Sequence, residues 1–379
     1  MRAPVHIVFD YRPALRERTG VGEYVHQLAR ALAALARDET GDRVVLFSSS
    51  WKDRLPTAPE FEAPVEIVDR RIPVRLLNYL WHRREWPPLE RLVPGPIDVA
   101  HSAHPLLSPS SSLRAVTIHD LDFLAHPDRT RGEIRRDYPA LVRDHARRAD
   151  LVVVSSRFGA GEVARELGVE PARIVICPAG APAWPPRPAD QTDGYVLFVG
   201  ALAPRKDLGT LLRAYARLIP HLPMPDLVLA GPATPAAGEW LAALTRPPLV
   251  GRARHIGYVP AAERPALYRG ARLVVLPSWH EGFGLPALEA MASGVPLIAS
   301  RVGALPEVAG EAALYVRPGD EGALAAAIRT VLTSPVQAAA MREAGLRRAA
   351  GFRWADSARV LRAAYAEALA RRSPHARGH

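Results

Sequence analysis

Lysine is almost absent from this chain of 379 residues, which has two lysines against 47 arginines. Cysteine is scarcer still, because Cys177 stands alone; this excludes an internal disulfide and favours a reducing compartment. Long apolar runs are also missing: no window reaches the roughly 18 apolar residues of a membrane helix, and the start "MRAPVHIVFDYR" has no long apolar segment. We therefore expect a cytoplasmic protein.

Two common catalytic patterns are missing as well. No G-x-S-x-G sequence is present and Cys177 lies in the apolar run "RIVICP", so nucleophilic hydrolysis is a poor interpretation. The stretch "TGVGEYV" places Gly20 and Gly22 between the first expected strand and the first expected helix, but it lacks the third glycine of a dinucleotide fingerprint. An NAD-dependent oxidoreductase is therefore poorly supported. The two glycines form a turn that either admits a substrate or simply interrupts the regular structure.

The composition is that of a folded enzyme. Apolar residues make up 48% of the chain and charged residues 23%, which is typical of soluble globular proteins. The length exceeds what one hydrophobic core usually supports, so two domains are expected. Lysine plus arginine outnumber aspartate plus glutamate by 49 to 39, and the net charge of +10 favours anionic partners such as phosphates, nucleic acid or an acidic membrane surface.

Short apolar runs alternate with stretches of helical spacing along the whole chain. Runs such as "HIVFD", "RVVLFSS", "YVLFVG" and "LVVLPS" are uninterrupted, as expected for parallel strands buried on both faces. The series occurs twice, on either side of the proline-rich "CPAGAPAWPPRPADQTDG" (177–194), which is typical of a linker. We predict an α/β fold of two doubly wound parallel-sheet domains, 1–183 and 184–354, with a ligand cleft between them at the carboxyl ends of the strands.

The segment "LVVLPSWHEGFGLPALEAMASGVPLIAS" predicts a strand, a loop, a short helix, a turn and a strand. Pro286 suits the first helical turn, so Glu281 lies in the loop and Glu289 in the helix. Gly282 and Gly284 let the loop backbone approach a ligand, and the N–H groups of the helix start attract anions or hydroxyl oxygens. Two carboxylates beside such a backbone suit a ligand with many hydroxyl groups. A ribose could bind to one glutamate and a hexose to the other. The alternative is that both glutamates are solvated surface charges.

The stretch "VGALAPRKDLGTLLRAY" repeats this geometry. A strand ends at Gly200, and a helix is expected to begin near Asp207, a candidate N-cap. Arg205 and Lys206 then lie beside a helix N-terminus at the carboxyl end of a central strand, where a phosphate group is favoured. A lysine in so arginine-rich a chain indicates a need for a compact point charge. The alternative is that Lys206, like Lys52, is an accident of composition.

A third candidate lies in "AVTIHDLDF", where His119 and Asp120 close a strand of the first domain. His119 is placed to hydrogen-bond a substrate hydroxyl, although a single histidine at a strand end more often has a structural role. Asp120 and Asp122 have the spacing of a metal-binding acidic pair, but the tripeptide is very common. No metal site is expected.

Six segments of the chain follow one another in an order that is typical of one enzyme family. They are "DYRPALRERTGVGEYVHQLARAL", "TIHDLDFLAHPD", "ARRADLVVVSSRF", "VGALAPRKDLGTLLRAYARL", "LPSWHEGFGLPALEAMASGVPLIAS" and "FRWADSA". In these segments the chain resembles the retaining glycosyltransferases of family 4, and the glutamate pair with its G-F-G-L-P loop is the most specific of them. The resemblance covers nearly the whole chain and implies the GT-B architecture of two facing Rossmann-like domains.

The resemblance implies a role for each matching residue. Arg205 and Lys206 match the basic pair that holds the donor diphosphate, Glu281 matches the glutamate near the transferred sugar, and His119 matches a first-domain histidine near that sugar. The other implied donor-binding positions are Glu289 on the nucleoside ribose, the loop residues Gly282, Phe283, Gly284 and Leu285, Gly22 in a turn facing the diphosphate and the acceptor, and Gly200. The last helix of such enzymes returns to the first domain, which suits 355–372. The linker sequence "CPAGAP" departs from the family, since many members have an asparagine before this glycine.

The resemblance also implies a reaction. We expect retaining, metal-independent transfer of a hexose from a GDP- or UDP-linked sugar, preferably mannose from GDP-mannose, to a glycan, lipid-linked or small-molecule acceptor, without a cofactor and without a nucleic-acid partner. A sugar-nucleotide epimerase and a non-catalytic nucleotide-sugar binder are the alternatives. The arginine-rich stretches 70–86 and 129–148 either touch an anionic membrane at its inner face or are solvated helix faces.

Overall fold

The computed structural model describes residues 4–15, 18, 20–55, 61, 65–126 and 137–372. The chain divides into two compact units. The first unit comprises the residues up to Gly180 together with those from Arg353 onward, and the second runs from Ala181 to Phe352. Each unit is built around one sheet, and all pairings between neighbouring strands in both sheets are parallel.

The sheet of the first unit has seven strands in the order β3-β2-β1-β4-β5-β6-β7. The strands are β1 (His6–Asp10), β2 (Arg43–Ser49), β3 (Glu66–Arg70), β4 (Val99–Ser102), β5 (Leu113–Thr117), β6 (Leu151–Val154) and β7 (Ile174–Ile176). The helices are α1 (Gly20–Leu35), α2 (Val74–Arg84), α3 (Asp122–Ala125), α4 (Tyr138–Arg148) and α5 (Arg157–Leu167). The strand order reverses between β1 and β4, which makes the carboxyl ends of these two strands the place where such sheets bind ligands.

The sheet of the second unit has six strands in the order β10-β9-β8-β11-β12-β13. The strands are β8 (Tyr195–Val199), β9 (Leu227–Ala230), β10 (Ala253–Gly257), β11 (Ala271–Leu276), β12 (Leu297–Ser300) and β13 (Ala313–Val316). The helices are α6 (Leu208–Leu218), α7 (Gly238–Ala243), α8 (Arg264–Gly270), α9 (Leu285–Ala292), α10 (Leu305–Ala309), α11 (Glu321–Thr333) and α12 (Pro335–Ala349). Here the order reverses between β8 and β11, so these two strand ends are the expected ligand position.

The last helix, α13 (Trp354–Arg372), belongs to the first unit and packs against α1. The buried Tyr365 hydroxyl hydrogen-bonds to His101 Nδ1, and the Arg362 guanidinium pairs with Asp42. At the start of the helix, the Trp354 ring meets Tyr24 edge-on, with ring centroids 5.5 Å apart. Apolar packing and one buried ion pair therefore hold the C-terminal helix to the first unit.

The predicted fold of two doubly wound parallel sheets is confirmed, with two corrections of detail. Strands β3 and β13 were not predicted; each is the outermost strand of its sheet. The expectation that Gly20 and Gly22 precede the first helix is wrong, because both lie in the first turn of α1. The entropic cost of glycine is greatest in the middle of a helix, so glycine is tolerated in a first turn.

Residues 177–194 contain neither helix nor strand, as their proline content predicts. The segment is nevertheless held in place from Ala181 onward. The N–H of the buried Arg187 donates to the Ser293 carbonyl at 2.8 Å, and its Nη1 donates to the Arg269 carbonyl at 2.9 Å. Within the described part of the chain, no helix combines the length and the apolar character that crossing a membrane requires.

Candidate active site

Lys206 lies where the chain leaves the central region of the second sheet. Strand β8 ends at Val199, Gly200 follows, and a single 3-10 turn, Pro204–Lys206, leads to α6. The Lys206 side chain is buried and runs past Gly200, where an added Cβ would lie 3.5 Å from Lys206 Cε. The strand end and the turn thus place one ammonium group at the carboxyl edge of the sheet.

Asp207 stands between this turn and α6 in a left-handed conformation, with a φ of 49°. It occupies the N-cap position, but the expected N-cap bond is wrong, because its carboxylate does not accept from a helix N–H. Instead it accepts the Thr210 hydroxyl at 2.8 Å and the Gly319 N–H at 3.1 Å. A left-handed backbone turns the side chain away from the N–H groups that an N-cap in the β region would meet.

The Lys206 ammonium meets Glu281 in the loop after β11. Lys206 Nζ lies 2.5 Å from Glu281 Oε1, and the two side chains are only 9% and 7% exposed. Ser278 donates its hydroxyl to the same oxygen at 2.7 Å. Arg205 Nη1 lies 3.7 Å from Glu281 Oε2, and its side chain is 28% exposed. The structure therefore brings three predicted residues together, and we call Arg205, Lys206, Ser278 and Glu281 the cation–glutamate cluster.

The charges of this cluster fix the ionisation of Glu281. Burial by itself raises the pKa of the Glu281 carboxyl, but the positive charge of Lys206, and then that of Arg205, outweighs burial. Hydrogen bonds from Lys206 and Ser278 add to this, so the pKa of Glu281 lies below its usual value. The carboxylate is ionised at neutral pH and acts as an acceptor only. Two cations against one anion leave the cluster positive, which suits an anionic ligand.

Two glycines hold the loop of Glu281 close to its neighbours. Gly303 has a φ of 56°, and a Cβ there would lie 2.2 Å from the Glu281 carbonyl oxygen. That carbonyl accepts the Ala304 N–H at 3.0 Å. Gly284 has a φ of 92°, and a Cβ there would lie 2.6 Å from Leu305 Cδ2. Both positions require glycine, because each combines a left-handed backbone with a neighbour at contact.

The loop leads directly into α9, as predicted. Gly282, Phe283 and Gly284 are buried, Leu285 begins the helix, and Pro286 lies in its first turn. The start of the helix therefore adjoins the Glu281 loop and carries N–H groups that have no partner within the helix itself.

Glu289, within α9, is also buried and has two partners on α8. The Tyr268 hydroxyl donates to Glu289 Oε2 at 2.6 Å, and Arg264 Nη1 lies 3.5 Å from Oε1. Burial and then the negative charge of Glu289 raise the pKa of Tyr268 well above its usual value, so the phenol remains a donor. Neither glutamate is the solvated surface charge that the sequence left open as an alternative.

The remaining candidates belong to the first unit. His119 follows β5, and its Nε2 lies 3.2 Å from the Ala103 carbonyl oxygen. A carbonyl only accepts, so Nε2 carries the proton and Nδ1 is an acceptor. Burial lowers the pKa of His119, whereas the hydrogen bond to Ala103 and the negative charge of Asp120 raise it. Burial is the larger effect, so the pKa lies below its usual value and the ring is neutral at pH 7. Gly22 is buried in the first turn of α1, and not in a turn before it.

Asp120 is used locally: its Oδ1 accepts the Asp122 N–H at 3.3 Å, beside the start of α3. A search of the described ranges finds no group of three or more histidine, cysteine, aspartate or glutamate side chains placed to hold a metal ion.

The sequence analysis missed an ion pair at the end of β1. Arg12 donates to the buried Asp10 from Nη2 at 2.6 Å and from Nε at 2.9 Å, and His104 Nε2 lies 3.1 Å from Asp10 Oδ2. Burial raises the pKa of the Asp10 carboxyl, but Arg12 and His104 hold it well below its usual range. The signal was present in "FDYR", where an aspartate ends an apolar strand two residues before an arginine. Arg264 and Tyr268, in "RPALYRG", were missed too, and had no such local signal.

Comparison with known proteins identifies the family of the chain. Residues 18–183 match the family model described as Glycosyltransferase Family 4, and residues 193–334 match the model described as Glycosyl transferases group 1. O-antigen chain mannosyltransferase B of Escherichia coli is 30% identical over 373 residues, which cover 92% of this chain and 96% of that protein. The chain belongs to glycosyltransferase family 4. The resemblance seen in the sequence is thereby confirmed, and the chain is a glycosyltransferase.

Solved structures place this family 4 glycosyltransferase in the GT-B fold. Sucrose-phosphate synthase from Thermosynechococcus elongatus matches with a TM-score of 0.76 and 23% identity, covering 98% of this chain and 100% of the other. HepE of Anabaena, in complex with UDP-glucose, matches with a TM-score of 0.70 and 17% identity, covering 97% and 99%. At these identities the likeness concerns the fold, two Rossmann-like parallel-sheet domains.

Proposed function

We propose that this glycosyltransferase is a retaining, metal-independent hexosyltransferase that uses a nucleotide diphosphate sugar, with GDP-mannose as the favoured donor. The observation that carries the proposal is the cation–glutamate cluster at the carboxyl ends of β8 and β11, in which Lys206 and Glu281 are buried and Arg205 is partly exposed. Its two cations suit a diphosphate, and the ionised Glu281 suits a sugar hydroxyl. The partly exposed Arg205 offers its guanidinium to the ligand first.

The proposed chemistry follows from charge. The bond between the anomeric carbon and the diphosphate oxygen breaks, so negative charge grows on the diphosphate while the sugar becomes cationic. Arg205 and Lys206 stabilise the leaving diphosphate without a metal ion, because they are already oriented by Glu281 and their loops. The acceptor oxygen attacks from the face that the diphosphate leaves, and the leaving oxygen takes its proton, so the anomeric configuration is retained.

The nucleoside end of the donor is assigned to Glu289. Tyr268 and Arg264 hold its carboxylate from α8, which favours one orientation. A carboxylate accepts hydrogen bonds from both hydroxyls of a vicinal diol, as in ribose. Glu281 and Glu289 then serve the sugar and the ribose separately.

The identity of the donor is tested with a panel of sugar nucleotides. We expect GDP-mannose to raise the melting temperature more than UDP-glucose or ADP-glucose, because a ligand that binds only the folded state stabilises it by mass action. The name of the Escherichia coli relative supports mannose, whereas the HepE complex supports a UDP-sugar. Stabilisation by none of the sugar nucleotides would contradict the proposal.

The reaction itself is tested with the best donor and a glycan or lipid-linked acceptor. NMR of the product should show the anomeric configuration of the donor, and EDTA should leave the rate unchanged. An inverted product or a strict metal requirement would contradict the proposed mechanism. An epimerised donor, formed in the absence of any acceptor, would indicate an epimerase.

A membrane partner is proposed for helix α2. Its Val74, Leu76 and Tyr79 are exposed, as is Trp86 just beyond it, and arginines lie among them. Exposed apolar groups beside arginines suit the inner, anionic face of a membrane, where each cation contributes about 1 kcal/mol. Of the second basic stretch, 129–148, residues 129–136 lie outside the described residues, and the rest falls in the turn before α4 and in α4 itself.

This partner is tested by sedimentation with phosphatidylglycerol vesicles at low salt. The wild type should sediment with the vesicles, and the double variant Leu76→Ala, Tyr79→Ala should sediment less. Val336→Ala, which alters another exposed apolar residue, in α12, is the matched control and should behave as the wild type. Failure of the wild type to sediment would remove the membrane proposal and leave the transfer reaction untouched.

A further inference from the structure

A half-exposed tryptophan adjoins the cation–glutamate cluster. Trp279 is 50% exposed and stands two residues before Glu281 in the loop after β11. The backbone N–H of Trp279 donates to the Arg205 carbonyl at 2.8 Å, and Arg205 Nη1 donates to the His280 carbonyl at 3.3 Å. Two hydrogen bonds therefore fix this part of the loop to the turn that carries both cations.

The Trp279 ring lies against Gly319, and Asp207 holds the Gly319 backbone. Gly319, in the loop after β13, has a φ of 73°, and a Cβ there would lie 3.0 Å from Trp279 Cη2, so the ring lies against a bare Cα. The Gly319 N–H donates to Asp207 Oδ2 at 3.1 Å, and Asp207 has a φ of 49°. Aspartate adopts the left-handed conformation more readily than most residues, and here its carboxylate fixes the Gly319 backbone. The fold thus maintains a fixed aromatic surface that is half open to solvent.

Resting on the proposed function, we propose that Trp279 is a stacking platform for the transferred hexose of the donor. A pyranose carries hydroxyl groups around its rim and C–H groups on its faces, so it needs polar partners at the edge and an apolar surface beneath. The ionised Glu281 supplies an acceptor for the rim, and the indole face supplies the surface. Arg205 and Lys206 bind the diphosphate, which is one bond from the sugar.

The nucleobase is the other flat group of the donor that an indole face suits. It is attached to the ribose, and the ribose is assigned to Glu289 in α9, eight residues beyond Glu281. Trp279 instead adjoins Arg205 through its own backbone hydrogen bond and precedes Glu281. This contact with the turn assigned to the diphosphate favours the sugar end of the donor over the nucleobase.

The test compares donors with and without the sugar. Isothermal titration of the full chain would use GDP-mannose and UDP-glucose, beside GDP and UDP. We expect Trp279→Ala to bind the preferred sugar nucleotide about tenfold more weakly, the equivalent of one aromatic stacking contact, and to bind the nucleoside diphosphate as the wild type does. Trp279→Phe should retain most of the affinity. Trp51→Ala, at a tryptophan that is 72% exposed in the first unit, is the matched control.

Each other outcome overturns the proposal. Equal weakening for the sugar nucleotide and the nucleoside diphosphate would mean that Trp279 merely shapes the diphosphate loop. Unchanged donor affinity with a raised KM for the acceptor would assign the ring to the acceptor. If the wild type binds the sugar nucleotide and Trp279→Ala binds it equally well, only this inference fails; if the wild type binds no sugar nucleotide, the proposed function fails with it.

Discussion

Replacing Lys206 by arginine separates the need for a charge from the need for a lysine. The lysine side chain is 9% exposed, its Nζ lies 2.5 Å from Glu281 Oε1, and its stem runs past Gly200. Arginine keeps the charge but brings a longer, planar fork into this closed space. Overpacking of that kind costs about 1–3 kcal/mol, and it displaces the point charge from the position where the diphosphate charge grows.

The expected effect on transfer follows from the loss of one preorganised donor. Such a loss costs about 3 kcal/mol of transition-state stabilisation, which is about a hundredfold in rate. Lys206→Arg should therefore transfer sugar about a hundred times more slowly than the wild type at saturating donor, with Glu281 still paired to a cation. Lys206→Met should in addition lower the unfolding free energy, by at most about 3–5 kcal/mol, because it removes the nearer cation from a buried carboxylate that still has Arg205 and Ser278 beside it.

Initial rates of nucleoside diphosphate release, beside urea unfolding of each variant, measure both effects. The chain supplies its own control, since Lys52 is the other lysine and lies exposed after β2. Lys52→Arg should match the wild type in rate and stability. A folded Lys206→Arg enzyme that transfers at the wild-type rate would refute the reasoning.

Three further predictions concern the neighbours of Lys206. Folding lowers the pKa of Glu281, so the ionised carboxylate stabilises the fold at pH values above its usual pKa, and this contribution is lost as the pH falls. The difference in melting temperature between the wild type and Glu281→Gln should therefore shrink on acidification. A difference that stays constant with pH would contradict this prediction. Gly303→Ala should unfold at a clearly lower urea concentration than Gly251→Ala. Both glycines have a positive φ, but only at Gly303 would the added Cβ clash with the Glu281 carbonyl oxygen. Equal urea midpoints for the two variants would contradict this prediction. Tyr268→Phe removes a hydrogen bond to a charged group worth about 1.5–3 kcal/mol and should weaken nucleotide binding at least several-fold by titration; unchanged affinity would oppose the role given to Glu289.

The central strands were predictable from the sequence, and so were the outermost strands β7 and β10, from "RIVICP" and "HIGYV", whereas the outermost strands β3 and β13 were not. A run such as "LVVV" in β6 is buried along its whole length, so its composition reports its position directly. In β3 and β13, only one residue of each strand is buried, because an outermost strand has a neighbour on one side only. Burial does not separate them from β7 and β10, which have no buried residue; the difference lies in the sequences, because "EIVDR" is charged at three of its five positions and "ALYV" is only four residues long.

The site was predictable where its residues follow directly on the carboxyl ends of parallel strands. The carboxyl edge of the sheet brings Lys206 and Glu281 together although 75 residues separate them, and the rule that parallel strands end at one edge anticipates this. Tyr268 was not predictable, since its bond to Glu289 depends on how α8 packs beside α9. Asp207 was misjudged because its partner, the Gly319 N–H, lies 112 residues away and outweighs the local N-cap preference.

The most direct test of the central claim, that the cation–glutamate cluster binds the donor diphosphate, uses ligands that differ only in their phosphates. GDP and guanosine, and likewise UDP and uridine, are titrated into the wild type and into Arg205→Met, and the comparison isolates the phosphate contact. Arg205 is the more exposed of the two cations, so this variant leaves the buried Lys206–Glu281 pair intact. Arg205→Met should bind the preferred nucleoside diphosphate about 10 to 100 times more weakly, as expected for one charged hydrogen-bonding partner, and bind the nucleoside as the wild type does. An unchanged affinity for the diphosphate, or an equal loss for the nucleoside, would contradict the account.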